Sequence, residues 1–379
     1  MKIVIDARFF GPEGAGLGKY TEKLLEHLQE EDRENDYFII LRKYNFDLFN
    51  PKNPRFKKIL VDAQWYSLKE QILLPKALRK INPDLVHFLH YNIPLFWNGR
   101  FIVTVYDLTK LEFGKAASRI SNPVNFRLKQ AFHDLVLRRA VKRSTAIIAG
   151  SKTTENKLAA LLRVNRNKIT TIYAGTDQVF LENHVNKTGY AAKILNKYKI
   201  KKPYIVYVGN AFPYKNLAIV LESLKKAEKG LNFVYVSSRS DFVPSLTEKA
   251  NELNLGGRFI STGYVPDKDL AVLYSQAESY VFPSLSEGFG LPGLEAMASG
   301  CPVIASDIPV LKEIYVDAAI YFDPESPADL AEKIELVMNN RKLKTDLIKK
   351  GHEQIKKYSW EKMARETLDL YKKVGRIAV

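Results

Sequence analysis

The stretch SYVFPSLSEGFGLPGLEAMASG, residues 279–300, determines the fold class that the rest of the chain must share. Its first part, Ser279–Leu285, is predicted as a buried strand, and an acidic, glycine-rich loop follows it. Pro292 suits the start of a helix and Gly300 suits its end. We expect Glu295 in the first turn of that helix. A strand, a glycine-rich loop and a helix in this order are typical of a ligand-binding turn in a parallel α/β sheet.

The same alternation of strands and helices runs along almost the whole chain and predicts two parallel sheets. Strands are predicted in the first half at Lys2–Phe9, Tyr37–Arg42, Lys57–Asp62, Leu85–Leu89, Phe101–Asp107, Thr145–Ser151 and Ile169–Gly175. In the second half they are predicted at Tyr204–Gly209, Asn232–Ser238, Phe259–Val265, Ser279–Leu285, Pro302–Asp307 and Ala319–Asp323. The polar, lysine-rich stretch Glu182–Lys202 is predicted as a linker. The predicted fold is therefore α/β, with two Rossmann-like, doubly wound domains facing a cleft, at residues 1–185 and 200–357.

Composition is that of a globular protein, with 46% hydrophobic and 26% charged residues among 379, which argues against wholesale disorder. Cys301 is the single cysteine, so intrachain disulfides and cysteine-based metal clusters are excluded. No apolar run approaches the roughly 18 residues that a membrane-spanning helix needs. The N-terminal residues become charged too early for a signal peptide. We therefore expect a cytoplasmic protein.

The formal net charge of +16 allows several partners. Nucleic acid, an anionic membrane and anionic small substrates all fit it, and so does a lysine-rich proteome. Two predicted helices, at residues 73–80 and 135–143, combine leucines with several cations, as helices on membrane surfaces do. Their leucines could equally pack on the sheet. Nucleic-acid binding would require cations interleaved with aromatic residues along one groove, which the sequence does not show, so we expect no nucleic-acid partner.

Three glycine-rich loops carry the candidate site residues. Gly14, Gly16 and Gly18 lie between the first strand and a helix, where backbone amides favour an anion. Gly209 and Asn210 follow the first strand of the second half, and Lys215 comes just before a helix, where its ammonium could neutralise a phosphate. In the third loop Glu287 and Glu295 flank a helix start. The amides of that loop could bind an anion or sugar hydroxyls, and they belong to Gly288, Phe289, Gly290 and Leu291.

Glu287 and Glu295, with the glycine-rich residues between them, resemble the E-x7-E motif of the retaining family 4 glycosyltransferases with the GT-B fold. The resemblance spans most of the chain and includes the other two loops. It implies that the second domain binds a nucleotide-sugar donor, that the first binds the acceptor, and that a last helix at 358–379 crosses back to the first domain. It places acceptor loops at residues 111–125.

The resemblance also implies a role for each matched residue. Glu295 would hold the ribose hydroxyls, and Glu287 would contact the donor sugar together with the amides of its loop. Lys215 would steady the diphosphate, over which the loop of Gly14 and Gly16 would close. The nucleobase pocket would include Tyr264 and Val265.

Two departures from the family pattern concern charge and catalysis. Many members have Arg-Lys where this chain has Tyr214-Lys215, so half of the cationic clamp is missing or comes from elsewhere. Many also have His-Asp-Leu where this chain has Tyr106-Asp107-Leu108. The role of that histidine would fall to Tyr106 or to His90, and we include Asp107 among the candidate catalytic residues.

The expected reaction is transfer of a hexose, with retention, from a nucleoside diphosphate sugar to a hydroxyl of a glycan or lipid-linked acceptor. GDP-mannose is the first choice of donor and a UDP-hexose is the alternative. A second alternative is a basic nucleic-acid- or membrane-binding protein of the same fold without transferase activity. Peripheral contact with the anionic inner face of the plasma membrane also stays open at this stage.

No metal cofactor is expected. Asp267-Lys268-Asp269 has the form of a metal-binding triplet, but it opens a predicted helix, where N-capping and the helix dipole explain both acids. His87 and His90 lie three residues apart near a strand end and should point to opposite faces.

Overall fold

The computed structural model describes residues 1–114, 123–182, 189–226 and 230–375. The chain divides into two compact units, which are described separately below. The first unit comprises Met1–Leu111, Ile120–Gly175 and Ser359–Val379. The second comprises Glu112–Arg119 and Thr176–Tyr358. The predicted domain boundary at residue 185 and most of the predicted acceptor loop at 111–125 lie outside the described residues.

The first unit is built on a parallel sheet in the order β3-β2-β1-β4-β5-β6-β7. Its strands are β1 (Lys2–Asp6), β2 (Asp36–Leu41), β3 (Phe56–Leu60), β4 (Leu85–Phe88), β5 (Phe101–Val105), β6 (Ala146–Ala149) and β7 (Ile169–Thr171). Most of their residues are buried because helices cover both faces of such a sheet. Every strand predicted for this half is confirmed.

The helices of the first unit connect these strands and return to them at the end of the chain. They are α1 (Ala15–Glu31), α2 (Leu68–Ile81), α3 (Thr109–Phe113), α4 (Pro123–Arg143), α5 (Lys152–Leu162) and α15 (Trp360–Gly375). Helix α15 packs against α1, and its buried face includes Trp360 and Tyr371. Ser359 caps α15 as its sequence predicts, because its hydroxyl accepts a hydrogen bond from the Lys362 amide at 3.3 Å.

The second unit has a parallel sheet in the order β10-β9-β8-β11-β12-β13. Its strands are β8 (Tyr204–Val208), β9 (Asn232–Val236), β10 (Phe259–Gly263), β11 (Ser279–Phe282), β12 (Val303–Ser306) and β13 (Ala319–Phe322). The remaining helices are α6 (Gln178–Leu181), α7 (Tyr190–Lys197), α8 (Leu217–Lys226), α9 (Val243–Glu252), α10 (Asp267–Gln276), α11 (Leu291–Ala298), α12 (Pro309–Tyr315), α13 (Pro327–Asn339) and α14 (Arg341–Ile355). The prediction of two doubly wound parallel sheets is confirmed.

Two local predictions are wrong. The predicted linker contains helix α7, whose end is held to α10 because Asp269 accepts hydrogen bonds from Lys197 Nζ at 2.6 Å and the Tyr198 hydroxyl at 2.8 Å. Neither aspartate of the triplet at 267–269 is the N-cap of α10, which is Pro266, but both lie in the first turn of that helix, as the helix-dipole part of the prediction expects. Asp269 instead accepts the hydrogen bonds from Lys197 and Tyr198. The described residues contain no group of three or more metal-ligating side chains and no helix both long and apolar enough to span a bilayer.

Candidate functional site

The carboxyl edge of the second sheet has a topological switch point between its neighbouring strands β8 and β11. The connection after β8 leads to one side of the sheet and the connection after β11 leads to the other. Open α/β sheets bind their ligands in the crevice at this position. The loop after β8 carries Gly209 and Lys215, and the loop after β11 carries Glu287, so two of the predicted loops leave from the same edge.

The two loops are joined by their backbones and by an ion pair. The Leu285 amide donates to the Tyr214 carbonyl oxygen at 2.8 Å. Lys215 Nζ lies 2.6 Å from Glu287 Oε1, and the two side chains are only 14% and 11% exposed. The structure thus brings together the two side chains that the sequence assigns to the diphosphate and the donor sugar.

The charge of Lys215 is set by its surroundings. Burial alone would lower the pKa of its ammonium, but the charge of Glu287 and its hydrogen bond outweigh burial and hold that pKa above its ordinary value. Lys215 is therefore a cation at every physiological pH. A cation and a carboxylate side by side at a switch point can bind an anionic group and a hydroxyl group at neighbouring positions.

Tyr315 shapes the glycine-rich loop that precedes helix α11. Its buried hydroxyl donates to the carbonyl oxygen of Gly290, which has a φ of +102° and is the N-cap of the helix. A Cβ at Gly290 or at Gly293 would run into the same hydroxyl. Among the described residues no side chain caps α11, so its first turn can offer backbone N–H to a ligand oxygen.

Glu295 lies on α11 beyond the first turn, which corrects the sequence prediction. The helix begins at Leu291, so Glu295 falls in its second turn. The Glu295 carboxylate is buried near Tyr274. The pKa of Tyr274 is raised well above its ordinary value, mainly by burial and next by the negative charge of Glu295. Glu295 follows Glu287 by eight residues in the sequence, and its role toward ribose stays a prediction.

The end of β8 provides a further polar group. Gly209 has a φ of +142°, and the Tyr207 hydroxyl donates to the Asn210 carbonyl oxygen at 2.9 Å, which holds this turn. The Asn210 side-chain oxygen is buried, and no described residue hydrogen-bonds to it. Tyr264 is exposed and Val265 is buried just after β10, which is separated from β8 by β9.

In the first unit, Gly14 and Gly16 lie at the start of α1. A Cβ at Gly14 would clash with the Phe9 carbonyl oxygen, whereas one at Gly16 would meet nothing within 4 Å. A Cβ at Gly18 would clash with the Gly11 carbonyl oxygen. Packing therefore requires Gly14 and Gly18, and the space at Gly16 is open.

The three N-terminal catalytic candidates occupy different surroundings. The Tyr106 ring packs on Tyr20 at 5.0 Å, and burial raises the pKa of its hydroxyl well above the ordinary value. Asp107 accepts a hydrogen bond from the Thr109 amide at 2.9 Å, at the start of α3. His90 follows β4, at the switch point between β1 and β4 of the first sheet. Its position, like that of Lys215 in the second sheet, is where ligands bind.

A buried network beside His90 was missed by sequence reasoning. Fully buried Arg8 donates to Asp6 at 2.7 Å and to Glu70 at 2.6 Å, and Asn92 donates to the same Glu70 oxygen at 2.6 Å. The sequence signal was weak, since it consists of an aspartate and an arginine just after the apolar run of β1. Glu70 could not be joined to them, because it lies 62 residues away on α2.

Two family models match the chain. The model described as Glycosyltransferase Family 4 matches residues 14–179, and the model described as Glycosyl transferases group 1 matches residues 191–354. Together they account for most of the chain, with one model on each sheet.

Individual proteins are similar over nearly the full length. The O-antigen chain mannosyltransferase RfbU of Salmonella typhimurium is 27% identical over 95% of this chain and 97% of its own. A sucrose-phosphate synthase from Thermosynechococcus elongatus has a similar structure, with a TM-score of 0.77, 21% identity and 99% coverage of both chains. Anabaena HepE, solved with UDP and glucose, has a TM-score of 0.74 at 15% identity, covering 98% of this chain and 100% of its own.

Proposed function

We propose a donor and an acceptor for this chain on the premise that it belongs to the family 4 (group 1) glycosyltransferases with the GT-B fold, which transfer a sugar from a nucleotide sugar. The proposed reaction is transfer of mannose from GDP-mannose to a hydroxyl of a glycan or lipid-linked acceptor, with retention. The observation that supports the donor site is the Lys215–Glu287 pair at the switch point of the second sheet. We assign the donor to the second unit and the acceptor to the first.

The chemistry assigned to the donor site follows from its charges. In the transfer the bond between the anomeric carbon and the diphosphate oxygen breaks, and a bond to the acceptor oxygen forms on the same face. The proton of the acceptor hydroxyl passes to the leaving diphosphate oxygen. Negative charge grows on that diphosphate, so Lys215 and the N-terminal amides of α11 stabilise the transition state more than the ground state. Glu287 orients the sugar, and Glu295 holds the ribose.

Mannose is proposed because RfbU, a relative that matches almost the whole chain, is named a mannosyltransferase. The alternative is a UDP-hexose, since the structurally similar HepE is solved with UDP and glucose. The base-reading groups of such pockets are largely backbone atoms, so side chains do not decide between the two nucleotides.

A thermal-shift comparison of GDP, UDP, ADP and dTDP without added metal tests the donor. A ligand at 100 times its dissociation constant stabilises the folded state by about 2.7 kcal/mol, which corresponds to an upward shift in Tm of a few degrees. We expect GDP alone to produce it. A shift with UDP alone would replace GDP-mannose by a UDP-hexose, and the absence of any shift would contradict the donor site. Transfer of radiolabel from GDP-mannose to methyl α-D-mannoside then tests the sugar.

We also propose that the first unit contacts an anionic membrane, where a lipid-linked acceptor would lie. The surface concerned, here called the basic apolar face, consists of the exposed sides of α2 and α4 and the loop between β4 and β5. Leu68 is 85% exposed on α2, and Phe96 is 72% exposed in the loop. The Leu95 amide donates to the Gln71 side-chain oxygen of α2, and the Leu95 carbonyl oxygen accepts from Arg139 Nε of α4, so the loop is hydrogen-bonded to both helices.

Cations surround the apolar residues of the basic apolar face. These cations have exposed side chains and form no ion pair with a described residue: Lys69, Lys76, Arg79, Lys80, Arg138 and Lys142. Exposing leucine and phenylalanine to water is unfavourable, whereas inserting them into the interfacial region of a bilayer is favourable. Each cation near an anionic surface adds about 1 kcal/mol. This combination supports an anionic lipid surface as the partner.

Liposome sedimentation tests the membrane proposal, with vesicles of phosphatidylglycerol and phosphatidylcholine at low salt. Replacing Lys76, Arg79 and Lys80 by alanine should reduce binding at least tenfold. The control replaces Arg341, Lys342 and Lys349 of α14, which carry the same total charge and lie in the second unit, and should bind as the wild-type protein does. If both triple variants lost liposome binding equally, net charge alone would explain the binding and the basic apolar face would not be the contact surface. Failure of the wild-type protein to bind would contradict the proposal.

A further inference from the structure

We propose that the carboxyl edge of the first sheet binds an uncharged sugar ring through the side chains of Asn92 and His90, with Glu70 and Arg8 as positioning residues. The proposal rests on the proposed function, because the sugar would belong to the acceptor. It concerns one edge of one unit, at the switch point between β1 and β4.

The foundation of this site is an ionic network without solvent access. The Arg8 and Glu70 side chains are fully buried, and Asp6 is nearly so. Arg8 reaches both carboxylates and also donates to the Ala63 carbonyl oxygen at 3.3 Å. Such a network is costly to bury and strongly directional, so it holds its members in one arrangement.

Glu70 uses its two oxygens to position two neighbours. One oxygen accepts from Asn92 Nδ2 at 2.6 Å, and the other accepts from the Tyr66 amide at 2.8 Å. Tyr66 has a φ of +59°, which a bulky side chain rarely adopts without support. Strained backbone of this kind concentrates at ligand sites, where the surrounding structure holds it.

The orientation of the Asn92 amide follows from these contacts. An ionised carboxylate only accepts hydrogen bonds, so the nitrogen of Asn92 must face Glu70 and the oxygen must face away. Asn92 is 2% exposed, and no described residue donates to this oxygen. A buried acceptor left without a donor costs free energy that a ligand hydroxyl would recover.

His90 supplies the complementary group. Its Nδ1 accepts a hydrogen bond from the Asn92 amide at 3.1 Å, so the ring carries its proton on Nε2 when neutral. Burial, followed by the nearby cations, lowers the pKa of His90 well below its ordinary value, so the ring stays neutral at physiological pH. The ring is half-buried against Tyr91 and Phe9, at centroid distances of 4.0 Å and 5.4 Å. It therefore presents an N–H donor next to the Asn92 acceptor.

A donor and an acceptor on residues two positions apart are suited to the hydroxyl groups of a sugar, each of which both donates and accepts. Arg8 is already neutralised by two carboxylates, so it offers no free charge to a phosphate. Lys110, whose charge also lowers the pKa of His90, has its ammonium 5.5 Å from the centroid of the Tyr66 ring. The site is thus chemically closer to a neutral glycoside than to a sugar phosphate.

Saturation-transfer NMR with methyl α-D-mannopyranoside tests the site directly, without turnover. Methyl glucoside, methyl galactoside and mannose 1-phosphate complete the set of probes. We expect saturation transfer to at least one methyl glycoside with the wild-type protein. The Asn92→Ala and His90→Phe variants should bind it at least tenfold more weakly. The control Asn50→Ala, which changes an exposed asparagine, should bind it normally.

The Glu70→Gln variant tests the positioning role. We expect the KM for the glycoside acceptor to rise about tenfold, while the KM for the donor and the Tm change little. A merely structural residue would instead lower the Tm and affect both substrates. Asn92→Ala provides a second variant with an intact ionic network if Glu70→Gln fails to fold.

Three results would overturn the proposal. They are no saturation transfer to any methyl glycoside, unchanged binding in Asn92→Ala and His90→Phe, and tighter binding of mannose 1-phosphate than of the glycosides. The thermal shift with nucleotides reports on the donor site independently. Glycoside binding without a nucleotide shift would therefore contradict only the proposed donor, and a nucleotide shift without glycoside binding only the sugar site.

Discussion

Lys215 and Glu287 neutralise each other at a position with little water, so each side chain depends on the other's charge. A buried ion pair contributes little net stability, but loss of one member leaves an uncompensated charge. The pair is therefore better explained by what it binds than by what it stabilises. Glu287 lies in the loop and pairs with Lys215, whereas Glu295 lies on helix α11 itself.

The Glu287→Ala variant should lose transfer activity while keeping most of its nucleotide affinity. We expect kcat/KM to fall about 100-fold, equivalent to about 2.7 kcal/mol of transition-state stabilisation, because the sugar loses its carboxylate contact. The dissociation constant for GDP, measured by calorimetry, should change less than threefold. Equal losses in the two assays would refute the assignment of Glu287 to the sugar.

The Glu295→Ala variant should show the opposite pattern. Loss of a charge-assisted hydrogen bond to ribose costs about 1.5–3 kcal/mol, so GDP should bind at least tenfold more weakly. Glu335→Ala, on α13, provides the matched control. Unchanged GDP affinity in Glu295→Ala would show that the carboxylate does not contact the nucleotide.

Among the elements, each predicted strand is confirmed, but each prediction continues past the carboxyl end of the observed strand. The predicted strand that begins at Ser279 runs to Leu285, whereas β11 ends at Phe282. Pro283 and Ser284, just beyond β11, are still buried, so burial does not mark where strand pairing stops. These same residues begin one of the loops that carry the site.

The loops of the second sheet could be assigned from the sequence because their chemistry is local: glycines, a lysine and two glutamates stand in or beside them. The network of the first sheet could not, since Arg8 and Glu70 meet only through the fold. The tyrosine that shapes the glycine loop was missed for the same reason, as Tyr315 reaches Gly290 from α12, 25 residues later.

The Gly293→Ala variant tests that loop. The added methyl group would run into the buried Tyr315 hydroxyl, so the start of α11 must move. We expect nucleotide affinity to fall at least tenfold and the Tm to decrease by several degrees. Combining Gly293→Ala with Tyr315→Leu, which removes the hydroxyl and also the ring carbon Cζ that would lie 2.4 Å from the added Cβ, should restore part of both. No recovery in the double variant would contradict the steric explanation.

His87 on β4 is hydrogen-bonded to Tyr371 on α15, and its burial should make the stability of the protein depend on pH. Its ring nitrogens lie 2.6 Å from the Tyr371 hydroxyl and 2.8 Å from the Thr104 hydroxyl, and burial lowers its pKa to about 3. Unfolded histidine titrates near 6.5, so between these two values the unfolded state binds the extra proton. Burying the neutral His87 ring therefore costs no stability above about pH 6.5. Between pH 6.5 and pH 3 it lowers the free energy of unfolding by about 1.4 kcal/mol for each pH unit of acidification.

Urea unfolding at pH 7.5, 5.5 and 4.5 tests this dependence on the wild-type protein and His87→Gln. The difference in unfolding free energy between the two proteins should shrink as the pH falls. A constant difference would show that His87 is not the group responsible.

At the scale of the whole molecule, the chain contains two parallel sheets of similar topology, and each places polar side chains at its switch point. The second presents a cation and a carboxylate there, and the first presents an amide oxygen and a neutral imidazole. This division matches the chemistry proposed for the two substrates, a charged nucleotide sugar and a neutral acceptor. The basic apolar face of the first unit contributes six exposed cations to the net charge of +16.

The first unit is assembled from both ends of the described chain, because helix α15 packs on α1 after the whole second unit has been traversed. During synthesis on the ribosome, domains usually fold in the order in which they emerge. Here the N-terminal sheet must wait, with the surface of α1 uncovered, until some 180 further residues have been translated. The second unit can fold to completion first, so chaperones would encounter the nascent N-terminal sheet. A premature stop before Trp360 would release a chain whose second unit can fold and whose first unit lacks its last helix.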